Sequence, residues 1–445
     1  MMLDVAGQQF LVIGAGKTGQ SIAAFLSHYG ARVRLVERTA DALARATLPA
    51  DVEAHVGDRT EDLLRGVDVV VPSPGVARSH VLLRRAVGRG VPVLSEIELA
   101  ARALACPILA VSGTNGKSTT TVLLGNMLRE AGLHTFVGGN LGTPLIDACL
   151  AERPFEAAVV EVSSFQLEWV YTFQPQVALL LNLTPDHLDR YASMDEYRRA
   201  KAALLAAQQP GDVAVLNRDD PWVWEQRRKT RAAAISFGRE PVEFGSFVDG
   251  NAIIYWGPEP VPRRFPLDAV RLSGAHNREN MMAAVTAAAI WGIPDAAIQR
   301  ALETTNGLPH RLALVRERDG VRYYDDSKGT NVGAMEKSVA SFDGGIILLA
   351  GGYDKGSDFT VLNPLLRTHV RHLVLFGAAG SRIEAQVHGS VPTSVTPDLA
   401  AAVKEAARRA RAGETVLLSP GCASFDEFTD YAARGRRFRE LVEAL

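Results

Sequence analysis

Lys117 stands among glycines and hydroxyls in a stretch that could hold a phosphate. Residues 108–121 read ILAVSGTNGKSTTT. A short apolar run, Ile108 to Val111, leads into Gly113-Thr114-Asn115-Gly116-Lys117-Ser118-Thr119, and a helical run follows. Glycines carry no Cβ, so their N–H groups can close around an anion. A helix that begins there turns its positive end toward the same charge. In this arrangement Lys117 reaches the β- and γ-phosphates, and the hydroxyl of Ser118 or Thr119 is a ligand for Mg²⁺. The common spacing asks for a glycine at position 111, where Val111 stands, so the loop is a compressed variant. The bland alternative is a Gly-rich turn before a helix. The coincidence of strand, glycines, lysine and hydroxyls weighs against it.

Other residues could complete a phosphoryl-transfer site. Glu161 falls at the end of an apolar strand, 157–162, where a phosphate-loop enzyme keeps a Mg²⁺ carboxylate; a solvated strand end is the alternative. His187 lies between Asp186 and Asp189, just beyond the apolar strand 177–181. That position favours a second metal site over a structural histidine. Lys201 sits on a helix, 195–208, among alanines and leucines, and by itself reads as a surface lysine. Asn277 opens an alanine-rich helix, either to read an adenine edge or to cap it. In the last third, Arg311, Asp326-Ser327-Lys328 and Tyr353-Asp354-Lys355 bring polar and cationic groups to glycine loops. Arg434, Arg436 and Arg437 on the final helical run read as a solvated face.

Near the N-terminus, Gly14-Ala15-Gly16-Lys17-Thr18-Gly19 matches GxGxxG between a strand, 9–13, and a helix, 21–29. Glu37 follows at roughly the 20-residue distance of a ribose partner. The pattern fits a nucleotide other than NAD, NAD itself, or a structural turn. Ser73-Pro74-Gly75 follows a third strand, 68–71, as a ligand loop or a proline-stiffened turn. A fourth strand is expected at 91–94.

These loops need an open α/β framework. Each sits at the carboxyl end of a short apolar run, where such sheets bind ligands. The expected fold is α/β in three domains: an N-terminal Rossmann-like domain over 1–102, a central phosphate-loop domain with a mostly parallel sheet over 103–307, and a C-terminal Rossmann-like domain over 308–445. Residues 138–142 read as a flexible loop and 239–272 as a small β excursion. The 445 residues, 47% hydrophobic and 22% charged, suit a folded chain with sizeable cores. A net charge of −2 advertises neither nucleic acid nor an anionic membrane. Three scattered cysteines give no metal spacing and no disulfide framework, which fits a reducing cytoplasm. No signal-type segment and no membrane-length apolar run stands out.

Taken in order, GTNGKST, GGN, EVSSFQLE, TPDHLDRY, GAHN, LPHR and DDSKGTN resemble the Mur ligase family. SPGCASFDEFTDYAARGRRF is most like its D-glutamate-adding members. The resemblance implies an ATP-dependent amide ligase of cytoplasmic peptidoglycan synthesis. ATP would phosphorylate the carboxylate of UDP-N-acetylmuramoyl-L-alanine, and the amine of D-glutamate would displace phosphate through a tetrahedral intermediate. It assigns the first domain to the UDP substrate, through Lys17, Thr18, Glu37, Ser73, Pro74 and Gly75. Gly113 to Thr119 would hold ATP, with Asn277, Arg311, Asp326 and Lys328 adding nucleotide or phosphate contacts. Ser118 and Glu161 would bind one Mg²⁺. His187 would bind a second, together with a carbamate on Lys201. Asn140, Ser163 and Gln166 would face the muramoyl peptide. Thr330, Lys355, Ser424, Phe425 and Tyr431 would hold D-glutamate. A monomer acting on small molecules is the working expectation. The competing readings are a sister ligase or folylpolyglutamate-type synthetase, a nicotinamide-dependent oxidoreductase resting on GxGxxG alone, and a non-catalytic nucleotide-binding regulator.

Overall fold

The protein is described by a computed structural model covering residues 5–57, 61–188, 190–272, 274–354 and 356–445. Its strands form three sheets. The first has four parallel strands in the order Glu53–Val56, Arg32–Glu37, Gln9–Ile13, Val69–Pro72. The second has nine, running from Thr135–Gly139 through Ala157–Glu161, Ile108–Ser112, Val177–Leu180, Val213–Asn217 and Ala233–Phe237 to Gly245–Asp249, Ala252–Trp256 and Arg263–Pro266. It is parallel except at the last two pairings, where the excursion over 239–272 extends the sheet as antiparallel strands. The third has six strands, Ala313–Arg318, Val321–Asp325, Thr415–Gly421, Ile346–Gly351, Val370–Phe376 and Thr393–Val395, and only the first pair is antiparallel. The mostly parallel α/β class expected from the alternating strands and helices is the one observed.

The sequence explains the central strands. Ile108–Ser112, Ala157–Glu161 and Val177–Leu180 are buried at every residue. A parallel strand covered on both faces must be apolar throughout, which is why these read as unbroken hydrophobic runs. In the first sheet the strand order reverses at Gln9–Ile13 and in the second at Ile108–Ser112, and each of these strands leads into a glycine loop; in the third, Thr415–Gly421 is inserted between Val321–Asp325 and Ile346–Gly351 and ends in glycine. The crevice beyond the carboxyl end of such a strand is the ligand position of open α/β sheets.

The described chain divides into two compact units. One holds residues 1–183, 195–270 and 279–304, with the first two sheets. The other holds 184–194, 271–278 and 305–445, with the third. Within the first unit, helix Glu96–Ala103 is fixed by a buried carboxylate. Glu98 accepts hydrogen bonds from Tyr171 N (2.9 Å), Phe173 N (2.9 Å) and Thr172 Oγ1 (2.6 Å). Desolvation opposes its charge, but these donors and Arg102 outweigh it and hold the carboxyl below its ordinary range.

Three local expectations need correction. Residues 91–94 make only a single bridge, Val70 to Val93, because Pro92 breaks the run. Gly138 and Gly139 are not loop residues but close strand Thr135–Gly139. Arg434 is not solvated: it lies inside the third sheet's layer, 1% exposed. Among the described residues no helix is long and apolar enough to cross a membrane.

Candidate active site

The loop after Ile108–Ser112 has the backbone its glycines allow. Gly113 and Gly116 adopt φ of +152° and +86°, which side chains with a Cβ rarely reach. Both are also closely packed: a Cβ on Gly116 would overlap Asn280 Oδ1, and one on Gly113 would press on Leu181. Helix Lys117–Glu130 starts immediately, with Gly116 at its N-cap and no side chain capping it. Its first-turn N–H groups therefore point at the loop.

Asn182 shapes the loop from the neighbouring strand's end. Its Oδ1 accepts from Asn115 N (2.8 Å), its Nδ2 donates to Asn115 O (3.1 Å), and its carbonyl accepts from Thr114 N (2.9 Å). Two lysines converge on the loop carbonyls. Lys117 Nζ donates to Gly113 O (3.0 Å) and Thr114 O (2.8 Å). Lys201 Nζ donates to the same Gly113 O (2.7 Å) and to Ser112 Oγ (3.3 Å). Lys201 is 2% exposed, so its reading as a surface lysine is wrong. The alanines and leucines around it mark a buried helix face. Tyr197, one turn earlier, lies beneath its ammonium and shares a 3.0 Å hydrogen bond with Thr114 Oγ1. Ser118 and Thr119 are buried in the helix's first turn.

Glu161 is paired in register with Val111, two residues before the loop, and is 2% exposed; it is not a solvated strand end. Asn140 Nδ2 donates to its Oε1 (2.7 Å), and Asn140 N to its carbonyl (2.9 Å). Just beyond, Gln166 Oε1 accepts from Ser163 N (3.0 Å) and Ser163 Oγ (2.9 Å). Asn140, Ser163 and Gln166 thus surround one strand end with Glu161.

In the first sheet, Gly14 takes φ +98°, and a Cβ there would press on Ser73. Ser73 Oγ donates to Gly14 O (3.3 Å), which joins the Ser73-Pro74-Gly75 turn to the GxGxxG loop. Glu37 accepts from Ala15 N and Arg38 N, each at 2.7 Å. Helix Lys17–His28 starts at Lys17, earlier than expected, with Thr18 in its first turn. Lys17 Nζ donates to Gly142 O (2.7 Å), beside Asn140.

The second unit brings together the remaining residues. His187 has φ +57°, an uncommon conformation for histidine. Its amide donates to Asp186 Oδ1 (2.8 Å), and Asn331 Nδ2 donates to Asp186 Oδ2 (3.0 Å). Asp186, His187, Thr330, Glu336, Ser357 and Cys422 help line a cleft of about 460 Å³. Asp189 and Lys355 lie outside the described residues. Asp326 is buried, and its Oδ2 accepts from Ser338 Oγ (2.6 Å) and Ser419 Oγ (2.8 Å). Burial pushes its carboxyl up to about 6 despite those donors and nearby Arg311. Arg311 Nε is buried with no hydrogen-bond partner.

Lys328 Nζ lies 5.0 Å from the Tyr431 ring centroid. Ser424 is buried, whereas Phe425 is 68% exposed. Asn277 lies inside the first turn of helix Ala275–Ile290, past the cap position. Arg434 ties these loops together. It donates to Ser327 Oγ (3.0 Å) and O (2.9 Å), Ala423 O (3.1 Å) and Cys422 O (3.1 Å). Desolvation lowers its pKa to about 10.

Among the described residues no three His, Cys, Asp or Glu side chains gather to hold a metal. Mg²⁺ does not require that: it commonly takes one or two carboxylates, with phosphate oxygens and water completing the shell. A buried carboxylate at Glu161 and hydroxyls at Ser118 and Thr119 supply the hard oxygen donors that it prefers.

A glycine loop before a helix, oxygen donors beside it and three mostly parallel sheets match one class of protein, and the chain belongs to the Mur ligase family. The Mur ligase middle domain matches residues 111–288, the MurD-like N-terminal domain residues 8–95, and the glutamate ligase domain residues 310–422. Within that family, the chain is similar to proteins named UDP-N-acetylmuramoylalanine--D-glutamate ligase. The one from Syntrophus aciditrophicus is 44% identical, over 99% of this chain and 99% of its own. That from Syntrophotalea carbinolica is also 44% identical, over 100% and 99%. Solved structures share the fold at low identity. UDP-N-acetylmuramate-alanine ligase from Thermotoga maritima has a TM-score of 0.63 at 17% identity, covering 98% of this chain and 99% of its own. MurF ligase from Thermotoga maritima in complex with ADP has 0.62 at 17%, covering 99% and 95%.

Proposed function

We propose that this chain is an ATP-dependent ligase that joins D-glutamate to UDP-N-acetylmuramoyl-L-alanine in cytoplasmic peptidoglycan precursor synthesis, giving ADP and phosphate. A carboxylate is a poor electrophile at neutral pH, so one of its oxygens must first attack the γ-phosphorus of ATP and release ADP. The resulting acyl phosphate carries a leaving group. The amine of D-glutamate attacks the acyl carbon and loses a proton, and phosphate departs with the oxygen that the carboxylate gave.

The observation that carries this reading is the loop at the central switch point, with Lys117 and Lys201 on its carbonyls and a helix N-terminus behind it. Lys117 is placed to exchange those carbonyls for phosphate oxygens. The loop N–H groups orient the nucleotide. Mg²⁺, when bound, would be held by Ser118 and Glu161 and would neutralise phosphate charge. Asn140 holds the Glu161 carboxylate in place. The orphaned donor of Arg311 suits a phosphate oxygen from the second unit, with Lys328 adding charge and Asn277 reading adenine. The N-terminal loop, with Lys17, Thr18, Glu37 and Ser73 to Gly75, takes the uridine nucleotide. The 460 Å³ cleft beside Thr330 takes D-glutamate, with Ser424, Phe425 and Tyr431 at the neighbouring loops and Lys355 completing the set.

A second Mg²⁺, shared by His187 and a carbamate on Lys201, belongs to the same proposal. A carbamate nitrogen keeps one N–H for Gly113 O while adding an anionic oxygen ligand. The division at 102 and 307 into three functional domains, and action as a monomer, complete it.

The test is phosphate release by purified protein with ATP and Mg²⁺, across pairs of UDP-muramoyl precursors and amino acids. Release requiring both UDP-N-acetylmuramoyl-L-alanine and D-glutamate is expected. Equal release with L-alanine, a diamino acid or a folate would overturn the substrate assignment.

A further inference from the structure

Trp169 belongs to none of the groups described above, yet it stands between two of them. It ends the single helical turn Gln166–Trp169, in the stretch that leaves the Ser163–Gln166 corner of the second sheet. Its side chain, 7% exposed, is part of the first sheet's core, in a cluster with Leu11, Ile13, Val70, Leu82 and Val93. The indole Nε1 is buried with no hydrogen-bond partner. An unmet donor is a cost, so the apolar area of the ring is what holds the residue there.

Further contacts pin the same stretch. Trp169 O accepts from Ser95 N (2.9 Å). Glu98 takes the backbone donors that follow, Tyr171 N, Thr172 N and Phe173 N. The Arg78 guanidinium lies 4.5 Å from the centroid of the Trp169 ring. Arg78 follows the Ser73-Pro74-Gly75 turn in sequence. The contact therefore joins the loop proposed for the uridine nucleotide to the segment that begins at Ser163 and Gln166, on the muramoyl-peptide side.

We propose that Trp169, covered by Arg78, is a positioning residue: it fixes the Ser163–Gln166 turn at one separation from the Ser73–Gly75 turn, so that the precursor is held by its nucleotide and its peptide together. The inference rests on the proposed assignment of those turns to the two ends of UDP-N-acetylmuramoyl-L-alanine. A ligand gripped at two points meets the second at an effective concentration set by how well their spacing is held. A looser spacing lowers that concentration and weakens the whole precursor, while each point keeps its own affinity. Neither Trp169 nor Arg78 needs to touch the substrate.

The test compares a two-ended ligand with a one-ended one, UDP, which reaches only the first loop. Trp169→Leu keeps an apolar side chain in the core but removes the ring beneath Arg78. The KM for UDP-N-acetylmuramoyl-L-alanine should rise about tenfold. kcat should change less than about threefold, the pattern of lost binding without lost chemistry. The Ki of UDP against this precursor should stay within about twofold of wild type, because a one-ended ligand does not sense the spacing. Trp169→Phe keeps a ring for Arg78 and should recover most of the KM. Arg78→Ala, at an exposed position, leaves the core in place and should raise the same KM about threefold, which decides the matter if Trp169→Leu does not fold. A wild-type KM in every folded variant, or a Ki for UDP that rises in step with KM, would overturn the inference. Wild-type protein that UDP does not inhibit would strike the proposed nucleotide loop instead.

Discussion

The first and second sheets both end a switch-point strand in a glycine loop before a helix, yet the two loops are filled by opposite charges. In the first, the Glu37 carboxylate accepts from Ala15 N, and Ser73 closes over Gly14. An N–H engaged by a carboxylate is not offered to phosphate. In the second, Lys117 and Lys201 bring two cations to the loop carbonyls, and Asn182 shapes the peptide between them. On the proposed function, the same local motif would serve two ligands: a neutral nucleoside edge or hydroxyl beside Glu37, and a polyphosphate beside Lys117. The third sheet extends the contrast. There a buried arginine, Arg434, is spent on protein carbonyls and fixes two loops to each other.

The largest effect expected from breaking this contrast is at Lys117. Lys117→Ala should lower kcat for phosphate release about 10³-fold, at the upper end for loss of one charge-stabilising group. Circular dichroism should show the fold intact. In the third sheet, Arg434→Ala leaves the Ser327 and Cys422 carbonyls without their donor, whereas Ala423 O keeps Tyr353 N. Unpaired buried polar groups cost about 1–3 kcal/mol each, and water entering the vacated space offsets part of that. A loss of about 3 kcal/mol in urea denaturation is expected, larger than for Arg436→Ala.

Lys201→Ala should lower kcat about 10²-fold. Partial rescue by small carboxylic acids would identify an anionic oxygen as what the lysine supplies, whereas no rescue would restrict it to holding Gly113. The smallest effect belongs to the first loop. Glu37→Gln keeps an acceptor for Ala15 N but removes the charge. KM for the UDP precursor should rise about threefold to tenfold, in keeping with one hydrogen bond to a charged group. KM for ATP should not move. A matching rise for ATP would erase the distinction between the loops.

Both glycine loops were legible because their signals are local. Glycine, lysine and hydroxyl within seven residues, after an apolar run, dictate strand, turn and helix together. The parallel sheets were legible for the same reason, since strands buried on both faces are continuous apolar runs. What stayed hidden depends on packing between distant segments. Lys201 and Arg434 look like surface cations in sequence, and only tertiary burial distinguishes them from Arg199 or Arg436. A clue existed for each: the alanines and leucines beside Lys201, and Gly435 beside Arg434, where a Cβ would overlap the His310 ring. Asn182 and Asn280 carried no signal, because their roles are contacts with the loop from elsewhere in the chain. The short run at 91–94 failed for the opposite reason. Its composition suits a strand, but Pro92 cannot donate to a ladder.

The central claim is that the phosphate loop primes a carboxylate for amide formation. The direct measurement is isotope transfer from UDP-N-acetylmuramoyl-L-alanine labelled with ¹⁸O in its carboxylate, turned over with ATP and D-glutamate. One ¹⁸O in each released phosphate, seen by mass spectrometry or ³¹P shift, is predicted. Unlabelled phosphate alongside amide product would contradict it.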